Sequence, residues 1–428
     1  MTERPDDDIV VLAFSGGLDT SYCVPWLRER GYDVVTLFVD SGGVSADEVA
    51  AIEARAYELG AQRHVTFDGG ERLWRDVVVP LVHAGSAYQD QYPLLCSDRY
   101  LVVQRSLELC RELGTRTFAH GCTGMGNDQV RFDIAAQTLG AAIGGVRIIA
   151  PVRETEAGGG SVRDYEQDYL RERGYTVSAK STRYTINENL LGVTISGREI
   201  DEWQPPGEHT WQLCRPRNEW PQSAGTASIA FEAGVAVALD GEPMAGRDIL
   251  AGLNERFGAY GVGRGIYTGD TCVGLKGRIV FEAPGLTALT VAHRALEEAV
   301  NTRLQNRFKP AVADKWVELA YEGLYFDPLR EDLEAFLASS QRTVNGVVHL
   351  RTDGGQVRAE SVESPHLLRD ANAVYAQKSA WSGVEAQGFI RLFGQNSRLW
   401  ATVNGRDGTP DVGGVAAPAV KGDSDVDA

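Results

Sequence analysis

The sequence predicts an α/β protein: a doubly wound parallel sheet at the N-terminal end, then a second, α+β domain. Three observations carry this. The first third alternates short apolar runs with longer amphipathic stretches, the pattern of parallel strands linked by helices. Two of those runs lead into glycine-rich loops that open helices, at residues 15–21 and 121–127. From about residue 170 the alternation stops and hairpin signals take its place.

Strands are expected at 9–14, 34–39, 64–67, 117–120 and 146–150, each a short apolar run. Helices are expected between and after them, at 20–30, 46–59, 71–83, 97–113 and 127–139. Pro25 falls early in the first helix, where a missing N–H is best tolerated. The glycine-rich stretch 154–163 reads as a flexible connection. Beyond it, 226–231 and 235–239 form a hairpin about Glu232-Ala233-Gly234, and 347–351 and 356–362 a second about Asp353-Gly354-Gly355. Helices follow at 246–258, 288–304, 311–323 and 328–341. Residues 405–428 are rich in Gly, Asp and Ala with little apolar content, the composition of a disordered tail. The resulting division is 1–168, 169–380, 381–404 and 405–428. The third segment carries Phe389, Ile390, Leu392, Phe393, Leu399 and Trp400, either an assembly surface or ordinary core.

The net charge of −17 comes without a basic run, which argues against a nucleic-acid partner, because neutralising phosphates supplies most of that affinity. Small-molecule substrates are expected instead. Only six of the 42 basic residues are lysine. The six cysteines, at 23, 96, 110, 122, 214 and 272, form no Cys-x-x-Cys pair, so neither a zinc site nor a redox pair is indicated. The first eight residues are acidic and unlike a signal sequence, and no 18-residue apolar stretch exists. These features predict a cytoplasmic protein with no membrane partner.

Ser15-Gly16-Gly17-Leu18-Asp19-Thr20-Ser21 follows an apolar run. Its glycines allow backbone N–H groups to converge on an anion, its hydroxyls add donors, and the next helix points its positive end at the same spot. It is not a Walker loop, which requires a Gly-Lys pair before Ser or Thr. The second loop runs from His120 through Gly121, Cys122, Thr123, Gly124, Met125, Gly126, Asn127, Asp128 and Arg131 to Asp133. A hydroxyl, an amide, a carboxylate and a guanidinium so close together suit a zwitterion: Asp128 for an ammonium, Arg131 for a carboxylate. In doubly wound sheets ligands bind where the strand order reverses. If the first and fourth strands are neighbours there, both loops face one crevice. Cys122 reads as a packing residue.

The first loop resembles the PP-loop of the ATP pyrophosphatases, which cut ATP between its α and β phosphates. With the second loop and Tyr184-Thr185-Ile186-Asn187-Glu188-Asn189-Leu190-Leu191-Gly192, the chain resembles the argininosuccinate synthase family over about residues 8 to 400. Tyr92 with Ser97, Ala150-Pro151-Val152-Arg153, Tyr260-Gly261-Val262-Gly263-Arg264 and Glu282-Ala283-Pro284 extend the likeness. The resemblance implies a PP-loop nucleotide-binding domain, an α+β synthetase domain, a C-terminal oligomerisation segment and a homotetramer. It implies joining of L-citrulline to L-aspartate with ATP and Mg2+, through an adenylated ureido oxygen and without a protein nucleophile. ATP would meet Ala13, Phe14, Ser15, Gly16, Gly17, Asp19, Thr20, Ser21, Val39 and Gly121. Aspartate would meet Thr123, Asn127 and Asp128; citrulline would meet Tyr92, Ser97, Asn127, Arg131, Thr185 and Thr194. Asp19, Asp128 and Arg131 would be central to catalysis.

The chain departs from the family's pattern in places. Met125 stands where many relatives have lysine, and Thr185 and Thr194 where many have serine. Where relatives have Val-Glu-Asn, this chain has Thr268-Gly269-Asp270, so Asp270 is the candidate carboxylate for citrulline's amino end. Phe281 stands where a tyrosine is expected. A related ligase with another ureido substrate would fit these changes. A non-catalytic binding protein would not fit the intact Asp19, Asn127, Asp128 and Arg131.

Overall fold

The apolar runs of the first third form five parallel strands: β1 (Ile9–Ala13), β2 (Asp33–Asp40), β3 (Arg63–Asp68), β4 (Thr117–Ala119) and β5 (Arg147–Ile149). The computed structural model describes residues 8–156, 161–177, 184–375 and 377–405. The strand order is β3-β2-β1-β4-β5. The chain starts in the middle, builds outward to β3, then crosses back. Its order therefore reverses between β1 and β4, where Val11 pairs with Phe118 and Leu12 with Ala119.

Side chains of β1 alternate between two cores, as a strand covered on both faces requires. Val10 and Leu12 join one cluster, and Val11 and Ala13 the other. Helices α1 (Leu18–Glu29), α2 (Ala46–Glu58), α3 (Gly70–Leu73), α4 (Val79–Ala84), α5 (Asp98–Leu113) and α6 (Asn127–Ala141) lie close to the expected spans. A π-turn, Trp74–Val78, joins α3 to α4. Because Gly17 caps α1 and the helix starts two residues earlier than expected, Pro25 lies two residues deeper inside it. The expected connection at 154–163 is bounded by helices, α7 (Pro151–Glu156) and α8 (Val162–Glu172), and residues 157–160 lie outside the described residues. Tyr169 of α8 packs edge-on against Tyr22, ring centroids 4.7 Å apart, and its hydroxyl donates to Glu29 at 2.8 Å.

The motif at 184–192 builds β6 (Thr185–Asn189) and opens β7 (Gly192–Ser196). Further along are β8 (Gly225–Glu232), β9 (Val235–Leu239), β10 (Glu242–Pro243), β11 (Arg264–Asp270) and β12 (Lys276–Glu282). The last two are β13 (Gly346–Gly354) and β14 (Gln356–Glu363). They form two sheets, ordered β11-β12-β7-β6 and β10-β9-β8-β13-β14. Both expected hairpins are present; Ala233 and Gly234 turn the first with φ of 45° and 77°, as a two-residue turn needs. The four-stranded sheet was not foreseen as strands. Helices α9 (Gly246–Gly258), α10 (Pro284–Val300), α11 (Arg303–Tyr321) and α12 (Pro328–Ser340) complete the unit. The expected helix at 288–304 both starts and ends earlier, because Pro284 opens α10 and a Thr302–Gln305 capping box opens α11.

The 184–192 motif docks this half onto the parallel sheet. Leu190 N–H donates to Ser41 O at 2.9 Å, and Asn189 Nδ2 to Leu95 O at 2.7 Å. A Cβ on Gly43 would lie 2.7 Å from Glu188 Cγ, so the close approach requires glycine. All of this belongs to one compact unit that ends at Leu368. A second unit begins at Arg369 and holds α13 (Gly383–Phe393) and α14 (Gln395–Val403), with Phe389, Ile390, Leu392, Phe393, Leu399 and Trp400 all exposed. The expected tail falls, after Gly405, outside the described residues.

Among the helices, His83 and His293 stack with ring centroids 5.7 Å apart, beside the buried Lys309–Glu297 ion pair and Gln341, whose Oε1 accepts from His293 Nε2 at 2.8 Å. Burial, aided by the Lys309 charge, pushes both imidazoles down to about 3. They are neutral when folded but take up protons below about pH 6.5 when unfolded, so stability is full above 6.5 and falls as pH drops toward 3. Urea unfolding at pH 7, 6 and 5 should show this loss, with each histidine adding a slope of up to about 1.4 kcal/mol per pH unit. His293→Gln should flatten the slope; an unchanged slope would place these histidines outside the acid response.

Candidate active site

The loop after β1 is held by its own hydroxyls. Thr20 Oγ1 lies 3.2 Å from Ser15 Oγ and accepts from Ser15 N–H at 3.3 Å. Ser21 Oγ donates to Gly16 O at 3.4 Å. Gly16 has φ of 74°, which a side chain would strain. Gly17 caps α1 without a side-chain bond, leaving the helix's first N–H groups open to an anion. Ala13, Phe14, Ser21 and Val39 are buried around the loop's base, while Ser15 and Gly17 are exposed. Asp19 is half-buried. Burial raises its carboxyl above the usual range against the opposing charge of Arg163, and it shares a hydrogen bond with Glu166 of α8.

Because β1 and β4 are neighbours, the second loop lies against the first. A Cβ on Gly121 would stand 3.1 Å from Thr20 Cγ2 and 3.2 Å from the Asp19 carbonyl carbon. The second loop is braced from below. His120 Nδ1 accepts from Cys122 N–H at 3.2 Å, its Nε2 bonds Asp133 at 2.8 Å, and Arg153 donates to the same carboxylate at 2.8 Å. Thr123 stays half-buried and Met125 is exposed. Burial pushes the Cys122 thiol well up, in keeping with packing and not attack.

At the start of α6, Asp128 lies between two guanidiniums: Arg131 Nη1 at 2.8 Å and Arg99 Nε at 3.1 Å. Burial acts to raise its pKa, but the two arginines outweigh that and hold it below the usual carboxylate range. Arg99 also donates to Asp98 at 2.6 Å. Asn127 donates to the Tyr321 hydroxyl at 3.1 Å and accepts from Cys272 N–H at 2.9 Å, leaving one N–H and one lone pair for a ligand.

Two buried groups here have no hydrogen-bond partner, the Ser97 hydroxyl and Arg131 Nη2. Leaving such groups unpaired costs roughly 1–3 kcal/mol each. Tyr92, 2 % exposed, packs edge-on to Phe281 with ring centroids 5.9 Å apart, and Phe281 pairs across the ladder with Thr194. Tyr92 also packs edge-on to Tyr321, ring centroids 6.0 Å apart, and Tyr321 bonds Asn127 and Arg131, while Thr194 is linked to them through Phe281.

Two expected residues stand apart. Thr185 is exposed on β6 and accepts from Arg163 Nη2 at 3.1 Å, the arginine whose charge acts on Asp19 of the first loop. The Asp270 carboxylate is 46 % exposed and bonds Lys276 Nζ at 2.5 Å and Gln89 Nε2 at 3.1 Å, which hold its pKa below the usual range. It borders an open cleft of about 480 Å³ with Tyr88, Gln89, Cys272 and Glu322. Gln89 and Tyr267 fill the space that a side chain at Gly269 would take, its Cβ meeting them at 2.3 and 2.5 Å. Sequence reasoning missed Arg99, Arg163, Glu166 and Tyr321. Each acts across elements distant in the chain; only Arg99, next to Ser97 at a helix start, carried a local signal. Among the described residues no group of three or more His, Cys, Asp or Glu is arranged to hold a metal, and no helix is long and apolar enough to cross a membrane.

Comparison with known proteins matches residues 9–175 to the Arginosuccinate synthase N-terminal HUP domain and 184–400 to the Arginosuccinate synthase C-terminal domain. The argininosuccinate synthase of Xanthomonas campestris pv. campestris is 60 % identical over 395 residues, 92 % of this chain and 98 % of its own. That of Xylella fastidiosa is 58 % identical over 395 residues, covering 92 % and 98 %. That of Bacillus subtilis is 34 % identical over 402 residues, covering 93 % and 98 %.

The unpaired Ser97 hydroxyl generates a prediction about the unliganded protein. Ser97→Ala removes no hydrogen bond and one desolvated polar group, so the free energy of unfolding should stay level or rise by up to about 1 kcal/mol. Urea titration measures this; a loss beyond about 1 kcal/mol would mean the hydroxyl is a structural anchor.

Proposed function

Because this chain belongs to the argininosuccinate synthase family, we infer that it joins L-citrulline to L-aspartate using ATP, yielding argininosuccinate, AMP and pyrophosphate, a step of arginine biosynthesis. It is a ligase that forms a C–N bond. The observation that carries the reading to this chain's own residues is the pair of unsatisfied buried groups, Ser97 Oγ and Arg131 Nη2, beside two abutting glycine-rich loops.

ATP lies with its phosphates on the loop of Ser15, Gly16, Gly17, Asp19, Thr20 and Ser21 at the N-terminus of α1, and its nucleoside toward Ala13, Phe14, Val39 and Gly121. Mg2+ comes with ATP. The donor set would suit that, since Asp19 and the hydroxyls of Ser15, Thr20 and Ser21 sit on the loop that would carry the phosphates, and magnesium is usually held by phosphate, water and one or two carboxylates. The ion supplies charge neutralisation on the departing pyrophosphate. Arg131 and Ser97 orient citrulline with Tyr92, Thr194 and Asn127, and Asp270, on the neighbouring cleft, takes its amino end; Thr185, bonded to Arg163, stands apart from this group. The ureido oxygen attacks the α-phosphorus and pyrophosphate leaves. Aspartate, held by Thr123, Asn127 and Asp128, then attacks the ureido carbon with its amine. The C–O bond to AMP breaks, and the amine's protons pass to solvent. The chain supplies position and fixed charge rather than a nucleophile.

Residues 1–168 form the nucleotide-binding part and 169–380 the synthetase part in this reading. The exposed apolar side chains of 381–404 form an assembly segment of a homotetramer, since an uncovered apolar surface of this kind marks an interface. The protein is cytoplasmic, without nucleic-acid or membrane partners.

Incubation with MgATP, citrulline and aspartate should release argininosuccinate and pyrophosphate in equal amounts. Absence of argininosuccinate, or pyrophosphate release that does not require citrulline, would redirect the search to another ureido substrate. Arg131→Lys keeps the charge but loses the planar fork, so the citrulline KM should rise about tenfold or more with the ATP KM unchanged. Asp270→Ala should also raise the citrulline KM, and an unchanged value would remove Asp270 from the site. Sedimentation equilibrium should give four times the 46.5 kDa chain mass, and a single-chain mass would end the tetramer reading.

A further inference from the structure

Tyr321 closes α11 and is 1 % exposed, yet it touches the site through three different parts of itself. Its hydroxyl accepts from Asn127 Nδ2 at 3.1 Å and donates to Asp270 O at 3.2 Å. Its backbone carbonyl accepts from Arg131 Nε at 2.9 Å. Its ring lies 4.8 Å beneath the Arg131 guanidinium carbon. Tyr88 stacks on the ring, centroids 3.6 Å apart and 13° from parallel, which fixes the ring's plane.

These contacts leave Asn127 one orientation. The Tyr321 proton is committed to the Asp270 carbonyl, so its oxygen can only accept, and Asn127 must turn its NH2 toward it. The Cys272 N–H can only donate, so the Asn127 oxygen must face that way. Burial holds the phenol in its protonated form, keeping that proton in place. The remaining N–H and lone pair of Asn127 then point in set directions. Arg131, tied at Nε and stacked on the ring, is likewise left with Nη2 as its unpaired donor.

We propose that Tyr321 is a positioning residue for both amino-acid substrates: its hydroxyl fixes the Asn127 amide, and its carbonyl and ring aim the Arg131 guanidinium. This rests on the functional reading above. The residue lies in the far half of the chain and reaches no substrate itself; it acts through α6.

The test is Tyr321→Phe in the full chain, which deletes the hydroxyl but keeps the ring, the stack on Tyr88 and the carbonyl. The expected result is a fall of about five- to tenfold in kcat/KM for aspartate and for citrulline, the size of one lost hydrogen bond. The ATP KM should stay at its wild-type value, and the thermal midpoint should fall by no more than a few degrees, as expected for the lost buried hydroxyl. Tyr321→Leu, which also removes the ring, should raise the citrulline KM further than the aspartate KM, with circular dichroism verifying the fold. Wild-type constants in Tyr321→Phe, or equal losses for all three substrates with a midpoint lowered further than that, would overturn the proposal while the functional reading stands. A wild-type protein that forms no argininosuccinate would overturn that reading and this proposal with it.

Discussion

The parallel pairing of β1 with β4 brings together two parts of the chain that three other crossovers separate. Val11 against Phe118 and Leu12 against Ala119 set the register. That register puts the two following loops in contact, with Gly121 too close to Thr20 and Asp19 for any larger residue to sit there without movement. Loops at the carboxyl ends of parallel strands diverge elsewhere in such a sheet because their helices go to one face; at the reversal they go to opposite faces and leave a crevice. The Asp19 loop opens α1 on one side and the Asn127 loop opens α6 on the other, so two helix N-termini meet across it. Both ends carry partial positive charge, which suits a reaction whose substrates bring phosphates and carboxylates.

The second half supplies what the parallel sheet cannot, rigidity around α6. A helix N-terminus facing a crevice has few neighbours of its own. Here Cys272, just past the end of β11, and Tyr321, at the end of α11, come from two separate stretches and close on Asn127 and Arg131. His120, Asp133 and Arg153 brace the loop from within the first half. Glu282, wholly buried, accepts from the N–H groups of Gln212, Leu213 and Cys214 at 2.6 to 3.1 Å and ties the four-stranded sheet to its covering loop. A buried carboxylate is costly unless its oxygens are satisfied in this way.

What was legible in the sequence was whatever has a local cause. The apolar runs gave the parallel strands, and the glycine-rich loops gave the two halves of the crevice. Ala233-Gly234 and Gly354-Gly355 gave the hairpins because only certain residues accept those backbone angles. The four-stranded sheet was hidden because β6 and β11 bury few residues, and Ile186 and Ile266 are exposed, so no clean alternation marks them. Pro25 lies within α1, as expected, where burial of the helix outweighs its lost bond. Arg131, Asn127 and Ser97 were found through their motif, but their partners were not. Arg99, Arg163 and Tyr321 are ordinary residues in helical stretches, and what makes them matter is a contact partner outside their own stretch of chain.

Asp98, Arg99, Asp128 and Arg131 form a linked row with no net formal charge. Three of the four are nearly buried, with side-chain exposures of 7, 13 and 4 %, while Asp128 keeps 35 %. Charges buried this deeply are tolerated only when paired, and pairing them with each other satisfies that before any substrate arrives. A zwitterionic amino acid adds one carboxylate and one ammonium and so leaves the balance unchanged. In the reaction proposed, citrulline's carboxylate would take the free Nη2 of Arg131 and aspartate's ammonium the exposed edge of Asp128, without undoing Arg99's bond to Asp98. A neutral or purely cationic ligand would find no such exchange and would leave Nη2 unpaired. The charge balance therefore belongs to the row itself, and the chain's net charge of −17 has little part in it.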